Sequence, residues 1–159
     1  MDPRSAALRK KLTDSRASLR EVVAKIGADD WDVNRADPKH WPARDILAHL
    51  LSAEQGLRGR ISRILDSVDT APPAGFDLDT WNDRQIRKLR KRPVSQIFAQ
   101  LEMERETTVQ ALAETSPSDL DLPGFRASGA ETTVGGLFEL IANHESQHAL
   151  ELAAAAGVA

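Results

Sequence analysis

The chain has 159 residues, 41% of them hydrophobic and 28% charged, and its net charge is −3. This composition is that of a globular protein long enough to bury one core, so we predict a single domain over residues 1–159. The negative net charge argues against nucleic-acid and membrane partners, and the absence of cysteine excludes disulfides and thiolate ligands. No apolar run has the length of a signal peptide or a membrane span, and we therefore predict a cytoplasmic protein.

The first predicted helix is an amphipathic segment that ends at Gly27. Its apolar positions recur at alternating spacings of four and three residues, which is the period of one helix face. The stripe consists of Leu8, Leu12, Ser15, Leu19, Val22 and Ile26.

The second predicted helix starts near Trp41, with Pro42 at its first position, where the missing N–H costs nothing. Its stripe consists of Ile46, Leu50, Ala53, Leu57, Ile61, Ile64 and Val68. The proline- and glycine-rich stretch after it predicts a loop, and the segment TWNDRQIRKLRKR predicts a short, strongly basic helix.

Two more long helices complete the prediction. The third follows Pro93 and turns Val94, Ile97, Phe98, Leu101, Thr108 and Leu112 inward. Residues 115–131 then predict a loop, longer than ordinary helix connections. Thr132 or Thr133 caps the fourth helix, whose inward stripe includes Val134, Leu137, His144, His148 and Leu152.

These elements predict an all-α fold. Four helices of roughly twenty residues pack naturally as a four-helix bundle. The long connection between the second and third long helices, which carries the short basic helix, indicates a crossover in place of a simple up-and-down arrangement.

Three of the four histidines lie on apolar stripes. His144 and His148 are four residues apart and therefore share one helix face, and His49 follows Ile46 by three residues in the second helix. If the second and fourth long helices are antiparallel, the three imidazoles meet at one level, about 10 Å from the helix ends. His40, in the loop before the second helix, is predicted to lie on the surface.

Three converging imidazoles favour a metal site over three separately hydrogen-bonded core histidines, because one ion satisfies all three rings. We therefore predict that His49, His144 and His148 bind a divalent metal. A site made of histidine alone suits zinc, nickel and other ions, with zinc or nickel favoured.

His144 to His148 also spells the His-Glu-x-x-His motif of zinc proteases. The glycine and third histidine of one protease class are replaced here by Glu151 and Ala154, and only eleven residues follow His148. A protease is therefore not predicted. Glu145 directly follows His144, so its side chain points to one side of the predicted ligands. We favour a position beside the ligands or in solvent, and a catalytic role as general base is left open.

The segments HWPARDILAHLLSAEQ and TVGGLFELIANHESQH, in this order and at these positions, resemble the DinB-like superfamily over essentially the whole chain. The resemblance implies a metal-binding four-helix bundle whose ligands are one histidine of the second helix and two of the last, here His49, His144 and His148. Pro42 stands where the family usually has serine or threonine, and Leu150-Glu151 where it commonly has glycine and glutamine. Characterised members of the family are thiol-dependent transferases and a mycothiol-dependent isomerase.

The leading hypothesis is a metal-dependent S-transferase or isomerase, in which the metal activates a low-molecular-weight thiol for attack on a small electrophile. The chain has no cysteine, so the thiol comes from a cofactor. One alternative is metal-dependent hydrolysis by an activated water, with Glu145 or Glu54 assisting. The other is a non-catalytic bundle that binds a small molecule or dimerises; a homodimer also fits the family resemblance.

Several further residues have two candidate roles. Trp41 is predicted to pack in the core beside the site in preference to stacking on substrate. Trp81, Asn82 and Arg84, on the crossover, either line the mouth of the pocket or have structural roles. The basic run of residues 88–92 is predicted to be a solvated face, in preference to a surface that receives the carboxylates of an anionic thiol.

Overall fold

The computed structural model describes all 159 residues and contains five helices. They are Pro3–Lys25 (α1), Ala43–Leu65 (α2), Leu78–Leu89 (α3), Val94–Glu114 (α4) and Val134–Ala156 (α5). The four long helices α1, α2, α4 and α5 form a bundle, and α3 lies in the crossover between α2 and α4 and packs on α2. The predicted all-α four-helix bundle with a crossover is therefore confirmed. None of the helices is long and apolar enough to cross a membrane.

The bundle is ordered α1, α4, α2, α5 around its axis. Helices α1 and α5 run parallel. Lys11 pairs with Glu139 and Ser15 with Glu145, so the contacts advance along both helices in the same direction. The start of α2 shares one core cluster with the end of α5, and its end shares another with the start of α5, so these two helices are antiparallel. The long crossover lets α4 follow α2 in the same direction.

Helix ends are set by local chemistry. Asp2 caps α1 by accepting a hydrogen bond from the N–H of Ser5 at 3.0 Å, and Thr133 caps α5 in the same way through Gly136 at 3.0 Å. Pro42 precedes α2 as its capping residue, one position before the predicted place. A proline there still leaves the first turn intact, because no helical bond needs its missing N–H.

The connection after α4 is more structured than predicted. Residues 115–131 were expected to form a loop, yet Pro123–Phe125 (β1) and Glu131–Thr133 (β2) pair as an antiparallel hairpin. A Cβ on Gly124 would lie 2.3 Å from the Cδ1 atom of Ile64, so only glycine lets the hairpin pack against the end of α2. Strands of three residues are too short to show an alternating pattern, which is why the sequence did not reveal them.

A buried ionic network joins all four long helices. Arg16 of α1 donates to Glu145 of α5 at 2.7 Å and to Glu54 of α2 at 3.0 Å. Arg105 of α4 donates to Glu54 at 2.8 Å and lies 2.9 Å from Glu145. All four side chains are at most 6% exposed. Two cations and two anions balance inside the bundle, so each charge has partners that offset part of its desolvation cost.

We predict that Arg105→Met strongly destabilises the protein. Glu54 and Glu145 would then share a single buried guanidinium, and breaking a buried ion pair costs about 3–5 kcal/mol. Chemical denaturation of the purified variant measures the loss. Arg20→Met is the matched control, since Arg20 is mostly exposed in its pair with Glu102 and should contribute at most about 1 kcal/mol. Equal losses in both variants would contradict the assigned role of the network.

Candidate metal centre

Three histidine side chains meet between α2 and α5. One nitrogen from each of His49, His144 and His148 lies within 4.8 Å of the others. The Nε2 atoms of His49 and His144 are 3.0 Å apart, and the three ring centroids are separated by 4.3–4.9 Å. The predicted convergence of the three imidazoles at one level is confirmed, while their role as metal ligands stays a prediction.

The antiparallel arrangement of α2 and α5 produces this meeting. His49 lies near the start of α2 and His148 near the end of α5, so antiparallel helices bring both to the same end of the bundle. His144 is one turn before His148 on the same face. Trp41, half-buried just before α2, packs its ring 5.0 Å from that of His49 and closes one side of the cluster.

Burial keeps the rings of His49 and His144 neutral. His49 is only 6% exposed, and desolvation, aided by repulsion from His148, lowers its pKa to about 4. Desolvation, with repulsion from both neighbouring histidines, lowers the pKa of His144 to about 3. Both rings are therefore uncharged at neutral pH. A neutral imidazole carries the free lone pair that a metal ligand needs.

The ring nitrogens away from the cluster have different surroundings. Nδ1 of His148 lies 2.7 Å from Oε2 of Glu151, whereas Nδ1 of His49 is buried without a protein partner. Sequence reasoning noted Glu151 only as a departure from the family pattern. Its position three residues after His148, on the same helix face, was the signal that could have identified it.

Glu145 lies in the buried network. One carboxylate oxygen accepts hydrogen bonds from Arg16, and the other accepts from Ser15 at 2.8 Å and contacts Arg105. Glu54, named in the hydrolytic alternative, is likewise held by both arginines. These contacts leave neither oxygen of Glu145 free for proton transfer.

The other candidate residues lie around the crossover. Trp81 is half-buried and packs over Gly56, two turns along α2 from His49. Asn82 is half-buried and Arg84 is exposed. Most of the basic run is exposed, as predicted, although Arg90 pairs with Asp45. The fourth histidine, His40, is exposed in its loop and bonds to Asp37.

The donor set of the cluster suits a divalent ion, and one pair of its nitrogens has the spacing of two ligands. Two nitrogens bound at about 2.0–2.1 Å to one ion lie about 2.8–3.4 Å apart for the bond angles of octahedral and tetrahedral sites, a range that includes the observed 3.0 Å. A donor set of three imidazole nitrogens suits borderline ions such as zinc, nickel and copper. His49, His144 and His148 are the residues that would hold such an ion.

Comparisons with known proteins agree with this architecture. The model of the DinB superfamily matches residues 6–152 of the chain. No curated protein matches the chain.

Three solved structures share the fold at low sequence identity. The colibactin self-resistance protein ClbS, solved in complex with dsDNA, has 12% identity and a TM-score of 0.76, covering 93% of this chain and 92% of its own. YfiT from Bacillus subtilis, described as a probable metal-dependent hydrolase with an unusual four-helix bundle topology, has 16% identity and a TM-score of 0.74, covering 96% and 88%. An uncharacterised protein from Escherichia coli UTI89 has 12% identity and a TM-score of 0.74, covering 93% and 90%.

The lowered histidine pKa values predict how the stability of the metal-free protein depends on pH. An unfolded histidine titrates near pH 6.5, so between there and about pH 4 the unfolded chain binds more protons than the folded one. The free energy of unfolding should be highest above pH 6.5 and fall toward pH 4, by up to about 1.4 kcal/mol per pH unit for each of His49 and His144.

Denaturant titrations at a series of pH values test this dependence. The carboxylates contribute equally to the pH dependence of the wild type and of the variant His49→Phe. The difference between the two proteins therefore reports the contribution of His49 alone. The free energy of unfolding of the variant should fall less steeply with decreasing pH than that of the wild type. Identical slopes would show that His49 does not remain neutral in the folded protein.

Proposed function

The chain belongs to the DinB superfamily, and on this basis we propose that it is a divalent-metal-dependent enzyme that acts on a small molecule. The observation that carries the proposal is the meeting of three imidazoles, from His49, His144 and His148, within 4.8 Å. Three protein ligands leave coordination positions open, which is typical of catalytic sites and not of structural ones. A bound ion would supply Lewis acidity, lowering the pKa of a coordinated thiol or water.

We propose that the nucleophile is a low-molecular-weight thiol and that the reaction is its transfer to an electrophile, or a thiol-dependent isomerisation. The chain itself offers no cysteine. Glu54 and Glu145, which line a gap with His144, are tied to Arg16 and Arg105, so neither is free to deprotonate water. A thiol, whose pKa is about 8.5, gives up its proton far more easily than water at 15.7 and depends less on such a base.

Hydrolysis is the second candidate. The description of YfiT as a probable metal-dependent hydrolase supports it, although at 16% identity that likeness extends only to the fold. The same three histidines would serve, and Glu151, half-exposed beside His148, is the one carboxylate in contact with the cluster. Zinc or nickel as the ion, and a homodimer as the assembly, remain predictions.

We expect no specific binding of nucleic acid. The net charge of −3 offers no overall attraction to phosphates, even though α3 exposes several cations. The complex of ClbS with dsDNA makes this expectation worth testing. A salt-dependent shift of labelled duplex by the protein would contradict it.

Elemental analysis of purified protein tests the metal site. The wild type should carry about one equivalent of a divalent metal, and His49→Ala and His144→Ala should each lose it, because two imidazoles hold an ion far less tightly than three. His40→Ala is the matched control, since His40 is exposed and outside the cluster, and its metal content should equal that of the wild type. Full occupancy in His144→Ala would end the proposal.

Assays of the metal-loaded protein separate the two reactions. A panel of electrophiles offered with bacillithiol, mycothiol or glutathione should show thiol adducts, and ester, lactone and amide panels without thiol should show no turnover above that of His144→Ala. Hydrolysis without thiol that depends on the three histidines would replace the leading hypothesis by the second.

A further inference from the structure

One histidine of the cluster is held from outside by a carboxylate. Oε2 of Glu151 lies 2.7 Å from Nδ1 of His148, three residues earlier on α5. The corresponding Nδ1 atom of His49 is buried without a protein partner. Glu151 is thus the only carboxylate in hydrogen-bond contact with a ring of the cluster, since Glu54 and Glu145 bond to arginines and hydroxyl groups.

The hydrogen bond selects one form of the imidazole. A carboxylate can only accept, so Nδ1 of His148 carries the proton of this bond, and in the neutral form of the ring Nε2 then has its lone pair free. The charge of Glu151 also makes that lone pair a stronger donor to a metal. The spacing of three residues along one helix face keeps carboxylate and ring together without help from another element.

We propose that Glu151 is a positioning residue for the metal site: it holds His148 in the Nδ1–H form and thereby raises the affinity of the cluster for a divalent ion. This inference rests on the proposed function, because it deepens the role of the same three histidines. Its effect reaches the metal only through His148. Glu151 lies outside the set of three nitrogens that would bind the ion.

Different substitutions of Glu151 should lower the metal affinity by different amounts. Glu151→Ala removes both the acceptor and the charge, and loss of such a partner typically weakens metal affinity about 10–100-fold. Glu151→Gln keeps an amide oxygen that can accept the bond but removes the charge, so its affinity should lie between those of Glu151→Ala and the wild type. Alanine is the best helix former, so α5 should stay intact.

Competition against a chromophoric chelator measures these affinities with zinc as the probe. Glu139→Ala is the matched control: Glu139 lies on the same helix, is 45% exposed against 49% for Glu151, and pairs with Lys11 away from the histidines. Its affinity should equal that of the wild type. If the wild type binds no divalent ion, the proposed function itself fails; if it binds zinc and Glu151→Ala binds it equally well, only the role of Glu151 fails.

A second measurement needs no metal. Long-range 1H–15N NMR spectra of the metal-free protein report which ring nitrogen of each histidine carries the proton, and the signals of His148 are identified by their loss in His148→Gln. The wild type should show the Nδ1–H form at His148, and Glu151→Ala should shift it toward the Nε2–H form. An unchanged protonation pattern in a folded Glu151→Ala variant would overturn the inference, since a merely structural surface contact would not govern the position of that proton.

Discussion

The buried pairing of Arg16 and Arg105 with Glu54 and Glu145 is the constraint on which the rest of the structure depends. Apolar stripes can slide by a turn at modest cost, but a buried charge must meet its partner or lose several kcal/mol. Each of the four long helices contributes one member, so the network fixes their relative heights. Glu145 directly follows His144 and Glu54 lies five residues after His49, so the pairing that fixes the carboxylates also fixes the histidines.

The fixed register of the helices determines the surroundings of the histidine cluster. A narrow gap between α2 and α5 is lined by His144 together with Glu54 and Glu145, so the ionic layer lies directly behind the cluster. The arginines occupy the carboxylates on that side, which leaves the imidazoles as the cluster's donors for a metal. Desolvation keeps His49 and His144 neutral, and Glu151 orients His148 from the solvent side. The protein thus separates its fixed buried charges from the uncharged imidazoles of His49 and His144.

Much of this architecture could be predicted from sequence because it depends on periodicity. The stripes of the long helices placed His49, His144 and His148 inward, and the crossover loop indicated the direction of the chain. The hairpin of Pro123–Phe125 and Glu131–Thr133 could not be predicted, because its strands are too short to show a pattern. The partners of Arg16, Arg105 and Glu151 could not be predicted either. Periodicity shows on which helix face a charged residue lies, but not which side chain it contacts.

The central claim is that three imidazoles share one ion that keeps open coordination positions. X-ray absorption at the metal edge of the metal-loaded protein tests it most directly, because imidazole rings give a characteristic multiple-scattering signal. We expect three imidazole ligands at about 2.0–2.1 Å, completed by oxygen donors from solvent. A spectrum with fewer than three imidazoles would contradict it, and would mean that the cluster of His49, His144 and His148 is a feature of the core and not a metal site.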